Sequence, residues 1–267
     1  MFKTILCIRL GGPNQGQLTP GKPMKPLIVI PARYQSSRFP GKPLVSIQGK
    51  PMIQWVWEVC TQVLDPDRVL VATDDERIAK VCHERKMLCE MTSPTAKTGT
   101  DRVAEVARRH PASVYINVQG DEPMILPEDI TKVITAALQA PEHVYNGMCR
   151  LMSEEEYLST SVPKILSAPN GRLLYATRAP APGNKEATFQ GGSKQVCIYS
   201  FSAASLEAFT AQQEKTPLES IEDIEILRFL ELGLEVRMVQ VSGSSIAVDH
   251  PEDVTRVIAA MRKREAA

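Results

Sequence analysis

The feature that most constrains this chain is a repeated pattern: a short, mostly apolar run, then a polar loop, then a helical stretch. The runs are Pro26–Ile30, Val69–Thr73 and Val114–Val118. A strand that is apolar on both faces must be buried on both, as happens inside a parallel sheet covered by helices. Helical stretches are expected at Met52–Val63, from Asp74 to about Arg85, at Asp101–Arg109 and from Pro127 to about Gln139. Asp74, Asp75 and Glu76 bring acids to a first helical turn, where the helix dipole favours them. Pro127 suits an early helical position, where its missing N–H costs nothing. The alternation predicts an α/β fold with a mainly parallel sheet flanked by helices.

From about Tyr145 the pattern loosens into short strands, Tyr145–Met152, Val162–Ser167, Arg172–Ala176 and Gln195–Phe201, separated by Pro- and Gly-rich loops. This predicts a smaller antiparallel lobe or sheet extension at about 145–215. One helix over Pro217–Leu232, a strand over Glu235–Val241 and a terminal helix over Pro251–Arg262 complete the chain. At 267 residues and 43% hydrophobic, it fits one large domain with a small lobe. Residues 1–25 are expected to be a disordered extension ahead of a domain spanning 26–267. Met24, just before the first strong strand, is a candidate initiator.

Charge narrows the function. Lys+Arg 31 balances Asp+Glu 31, which argues against nucleic-acid or membrane-surface partners. No apolar stretch reaches the roughly 18 residues a membrane span needs. The six cysteines form no C-x-x-C pair and lie mostly among apolar neighbours, which fits a reducing, cytoplasmic setting rather than a zinc site.

The loop after the first strand carries Arg33, Arg38 and Lys42 within ten positions. Ligands of open α/β sheets bind beyond the carboxyl ends of strands. Guanidinium forks, an ammonium and backbone N–H groups suit phosphate oxygens there. Neither a P-loop nor a G-x-G-x-x-G fingerprint is present, so a dinucleotide cofactor has little support. Charge alone leaves open an ordinary solvated basic loop. A second run ends in Gln119-Gly120-Asp121, a carboxylate at a strand end that suits Mg²⁺ or merely supports a turn. A third, Ala247–Asp253, offers Asp249, either as a second carboxylate or as a cap on the terminal helix.

These runs together resemble the CMP-Kdo synthetases of the sugar nucleotidyltransferase superfamily, where Kdo is 3-deoxy-manno-octulosonate. Ile30–Leu44 matches the signature I-P-A-R-x-x-S-[ST]-R-[LF]-P-G-K-P-L throughout, and Asn117–Ile125 matches N-V-Q-G-D-E-P-M-I. Val248–Asp253 resembles V-D-T-P-E-D, with His250 in place of the Thr. The resemblance implies a Rossmann-like nucleotidyltransferase that uses CTP and Mg²⁺. It implies Arg33, Lys42, Asp121 and Asp249 as catalytic residues, with Asp121 and Asp249 as the metal ligands. Nucleotide contacts fall on Arg33, Ser37, Arg38, Lys42, Thr73, Asp74, Thr98, Gly99 and Gln119. Acceptor contacts fall on Gln119, Arg178, Gln195, Tyr199 and Glu225. Asp101 and Arg102 read equally well as a helix cap and a salt bridge.

The implied reaction is attack by the anomeric hydroxyl of a 2-keto-3-deoxy sugar acid on the α-phosphorus of CTP, in a cytoplasmic homodimer. The acceptor region departs from the family pattern at Gly183, Gln195, Cys197 and Ile226. Those departures leave an amino-Kdo or nonulosonate acceptor open. A regulatory module without turnover is the reading from another class, and the retained acids argue against it.

Overall fold

The structure, a computed structural model, describes residues 24–36, 38–243 and 245–266. The expected N-terminal extension, apart from residues 24 and 25, lies outside them, as do Cys7 and the nucleotide candidate Ser37.

The chain opens with β1 (Leu27–Ala32), a 3₁₀ turn at Lys42–Leu44 and a small hairpin of β2 (Ser46–Ile47) and β3 (Lys50–Pro51). Then come α1 (Met52–Cys60), β4 (Val69–Thr73), α2 (Glu76–Glu84), β5 (Cys89–Met91), α3 (Gly99–Ala107), β6 (Tyr115–Val118) and α4 (Pro127–Gln139). The second half holds β7 (Val144–Arg150), α5 (Glu154–Leu158), β8 (Lys164–Ser167), β9 (Leu173–Thr177), β10 (Ser193–Phe201) and α6 (Ala203–Ala211). It closes with α7 (Pro217–Glu222), α8 (Ile226–Glu231), β11 (Val236–Gln240) and α9 (Pro251–Glu265).

The central sheet runs β11-β7-β10-β6-β1-β4-β5. β1 pairs in parallel with β4 and β6, as its double-sided apolarity requires. The looser second half does not leave this sheet. β10 runs antiparallel between β6 and β7, and β11 adds in parallel to β7. Only β8 and β9 hang from the end of β10 as an antiparallel flap.

Alternate residues of the central strands feed two cores. Ile28, Ile30, Val69, Val71, Ile116 and Val118 pack with residues of α1, α2 and α4. Leu27, Val29, Leu70, Ala72 and Tyr115 pack on the other face with residues of α3, α6 and α8. Most are fully buried, each contributing about 1.5–3 kcal/mol of transfer free energy. A third cluster joins Ile47 and Met52 to Met124, Val248, Val257 and Met261. That cluster fixes α9 and the residues before it against the loop that follows β6.

The single helix expected at Pro217–Leu232 is two helices. Asp223 adopts a left-handed conformation, φ 52° and ψ 47°, and ends α7 there.

Candidate active site

Three segments meet beyond the carboxyl ends of β1 and β6. After β1 the chain turns back so that Gly41 N donates to Tyr34 O at 2.8 Å. Gly41 has φ 73°, and a Cβ there would lie 3.1 Å from the Tyr34 ring. Only glycine meets both conditions without strain. The turn sets Lys42 at the head of the 3₁₀ turn. After β6, Gly120 lets the backbone pass so close to β1 that a Cβ would lie 3.2 Å from Pro31 O and 3.1 Å from Ile53 Cδ1. Asp121 follows directly.

The third segment arrives through Val248, whose N–H donates to Asp121 O at 2.9 Å. Asp249 is not the cap of α9. The Asp253 carboxylate takes the N–H groups of both Asp249 and His250, at 3.0 and 2.9 Å. The Asp249 carboxylate is thereby left to face the loops. Lys42 Nζ lies 2.7 Å from Asp121 Oδ2 and 3.8 Å from Asp249 Oδ1. Arg38 Nη2 lies 3.1 Å from the same Asp249 oxygen. Residues 79 and 207 positions from Lys42 are thus gathered around one ammonium.

This cluster forms one end of a cavity of about 1030 Å³, large for a small-molecule site. Of the residues expected from sequence, Arg33, Arg38, Lys42, Thr98, Gly99, Gln119, Asp121, Arg178, Gln195, Tyr199, Glu225 and Asp249 all line it. Arg33 is exposed at the rim. Its charge adds to that of Lys215 and Arg178 in holding the Asp223 carboxyl below its ordinary range, the Lys215 hydrogen bond being the main cause.

Several of the expected contact residues are engaged within the protein. Thr73 and Asp74 do not line the cavity. Thr73 is fully buried at the end of β4, and its hydroxyl accepts from Asp75 N. Asp74 pairs at 2.8 Å with Arg102, a buried residue that also reaches Thr92 Oγ1 and Ser93 O. Asp101 closes a capping box with Thr98 at the start of α3. Asp101 thus forms the cap and Arg102 the salt bridge, while Arg102 also lines the cavity.

Arg178, expected to clamp an acceptor carboxylate, lines the cavity and donates from its guanidinium to backbone carbonyls. Nη1 donates to Thr160 O at 2.8 Å, Nη2 to Asp223 O at 2.9 Å, and Nε to Glu222 O. Glu225, expected to touch the acceptor, caps α3. It accepts from Gly99 N at 3.1 Å, Thr100 N at 3.0 Å and Thr100 Oγ1 at 2.6 Å. Burial pushes its carboxyl above the ordinary value. Gln195 Nε2 donates to Asn146 Oδ1 at 2.8 Å, and Tyr199 is buried, its phenol pushed well up by burial.

Glu122 is the residue whose role sequence reasoning missed. It is 5% exposed, lines the cavity, and its Oε1 accepts from Cys197 N at 3.0 Å. Burial, then the neighbouring Asp121, pushes its carboxyl up. The signal available in sequence was a second acid directly after Asp121, with no means of telling which partner it meets.

Among the described residues no group of three or more His, Cys, Asp or Glu gathers as a metal site. Two carboxylates that already converge on one cationic atom do fit a hard ion such as Mg²⁺, which takes one or two carboxylates and fills its other positions with water or phosphate oxygens.

Residues 27–237 match the family model described as cytidylyltransferase. The 3-deoxy-manno-octulosonate cytidylyltransferase of Geobacter metallireducens is 42% identical over 248 residues, covering 88% of this chain and 97% of that protein. An Escherichia coli protein of the same name is 37% identical over 237 residues, covering 89% and 96%. A solved structure of CMP:2-keto-3-deoxy-manno-octonic acid synthetase complexed with CTP matches with a TM-score of 0.83 at 36% identity, covering 90% of this chain and 99% of that one. The 4-diphosphocytidyl-2C-methyl-D-erythritol synthase of Anaerococcus prevotii, at 15% identity and a TM-score of 0.59, covers 88% and 98% and shares the fold alone.

Proposed function

The chain belongs to the cytidylyltransferase family, and on that premise we propose that it transfers CMP from CTP to the anomeric hydroxyl of Kdo or a closely related 2-keto-3-deoxy sugar acid, releasing pyrophosphate. The observation that carries the proposal is the meeting of Arg38 and Lys42 with Asp121 and Asp249 at the end of one large cavity. Arg33, Arg38 and Lys42 bind the triphosphate and stabilise the charge that develops on the departing pyrophosphate. Catalysis of phosphoryl transfer is mainly positioning and charge neutralisation. On the cavity wall, Thr98 and Gly99 serve the nucleotide, and Gln119 serves the junction between nucleotide and acceptor.

Asp121 and Asp249 would hold Mg²⁺. When bound, the ion supplies positive charge to the phosphate oxygens around the reacting centre. Tyr199, Gln195 and Glu225 shape the acceptor side, Glu225 by fixing the first turn of α3 and Gln195 by its bond to Asn146. Arg178 braces that wall. The family resemblance extends the proposal to a cytoplasmic homodimer whose product feeds a surface glycan such as lipopolysaccharide or capsule. No helix among the described residues is long and apolar enough to cross a membrane.

The test is pyrophosphate release from CTP with Kdo and a panel of related sugar acids, with and without Mg²⁺. Kdo-dependent release that requires the ion, and that Asp121→Asn abolishes while the fold persists, is the expected result. Full activity in Asp121→Asn, or no release with any sugar acid, refutes the proposal.

A further inference from the structure

Lys42 stands where two demands meet. Its ammonium lies between Asp121 and Asp249, at 2.7 and 3.8 Å, and its side chain is only 15% exposed. The same ammonium is needed on the triphosphate. Its backbone is not free to move between the two tasks. Gly41 is held left-handed, Leu44 N donates to Gly41 O at 2.9 Å, and Val45 N donates to Lys42 O at 3.1 Å. Only the flexible four-carbon side chain can swing.

We propose that Lys42, seconded by Arg38, is an internal counter-cation that latches the two acids while nucleotide and metal are absent, so that triphosphate and divalent ion bind cooperatively. This deepens the proposed function and rests on it. The physical case is competition for one charge. Two carboxylates near each other repel unless a cation sits with them, and an ammonium is a compact point charge that serves this purpose. A divalent ion arriving alone must displace the ammonium. A triphosphate arriving alone must draw it away and leave the acids uncompensated beside further negative charge. Arriving together, each ligand supplies what the other removes: the phosphates take up Lys42 and Arg38, and the ion takes up the acids. The coupling is reciprocal by thermodynamic necessity.

One consequence is unusual: removing an acid that would hold the metal tightens nucleotide binding when no metal is present. CTP affinity is measured calorimetrically in EDTA for the wild type, Asp121→Asn, Lys42→Met and the double variant. Asp121→Asn is expected to bind CTP about 5-fold or more tightly than the wild type, within the usual range of coupling between sites. In the Lys42→Met background the same substitution is expected to bring no such gain. Plain repulsion between acid and phosphate predicts a gain of equal size in both backgrounds, and that outcome overturns the latch. So does the absence of any gain.

A second arm uses Mn²⁺ alone, followed by the spin-resonance signal of the free ion. Lys42→Met is expected to bind it about 10-fold more tightly than the wild type, and the double variant to lose that binding. Equal binding by Lys42→Met and the wild type overturns the proposal, including where Lys42→Met binds CTP too weakly to compare. CTP with Mg²⁺ on the wild type is the control. Failure to bind there refutes the cytidylyltransferase reading itself, whereas binding there without the cycle described refutes only the latch.

Discussion

Replacing Glu122 by Ala is expected to loosen the loop that carries Asp121, although Glu122 itself need not touch a substrate. Cys197 sits where β10 shifts register between Val196 and Tyr199. On one side of that bulge Asn146 Nδ2 donates to Val196 O and Ile198 O, at 2.9 and 3.0 Å. On the other, Gln119 N donates to Cys197 O at 3.2 Å, and Glu122 accepts from Cys197 N at 3.0 Å. The bulge and the Gln119–Glu122 turn therefore hold each other.

Truncation to Ala removes a hydrogen bond to a buried carboxylate, about 1.5–3 kcal/mol, and leaves the Cys197 N–H without its acceptor. It also removes one buried methylene, about 0.8 kcal/mol, and empties the volume of the carboxylate. Relief of the carboxylate's own burial offsets part of this, for a net loss of about 2–4 kcal/mol. Glu122→Gln keeps the shape and an acceptor oxygen, so about 0–1 kcal/mol is expected. In thermal unfolding followed by circular dichroism, at 2–4 °C per kcal/mol for a domain of this size, the Ala variant melts about 5–15 °C lower and the Gln variant within a few degrees of wild type. Below its melting range the Ala variant should show reduced kcat at saturating CTP and acceptor, with Gln restoring it. Equal melting temperatures for Ala and Gln, or no shift in either, would refute the bracing role.

Two further predictions concern buried charge. Arg228 is 1% exposed and pairs through Nε and Nη2 with the fully buried Glu219 at 2.6 and 2.7 Å, so Arg228→Met strands a carboxylate and should lower stability by about 3–5 kcal/mol in urea titration, with part of the loss recovered in Arg228→Met/Glu219→Leu. Glu225 has a carboxyl raised by burial above its value of 4.5, so its contribution to stability is present below that pH and is lost as pH rises through the folded value. Glu225→Gln should therefore gain on the wild type in melting temperature between about pH 4.5 and neutrality, and a difference that is flat or falls with pH refutes the assignment.

The parts legible in the sequence were those that residue type and period dictate. β1, β4 and β6 announced themselves because burial on both faces leaves their runs almost wholly apolar, Thr73 and Asn117 being the exceptions. Arg38, Lys42, Asp121 and Asp249 were legible as a set through the family resemblance of the runs that carry them, since charge alone left a solvated loop, a turn and a helix cap open. What escaped was set by partners that no residue type encodes. Glu225 and Arg178 carry charges suited to a substrate, and the backbone groups they meet come from α3, from the loop after α5 and from the end of α7. The break at Asp223 was hidden because its flanks are both good helix formers, and a single left-handed residue outweighs them. For β7 and β10 the sequence left a lobe and a sheet extension both open, since their apolar runs are interrupted by polar positions such as Asn146, and pairing with β6 makes them an extension of the central sheet.

The bracing of Arg178 has a consequence for how such a wall can change. All three partners of its guanidinium are main-chain carbonyls, at Thr160, Glu222 and Asp223. Every amino acid offers that oxygen. At Thr160 the side chain can be exchanged without unfastening the strut, whereas Glu222 also accepts from Arg178 N at 2.8 Å and Asp223 is held left-handed, so drift in this wall is confined to the Thr160 side.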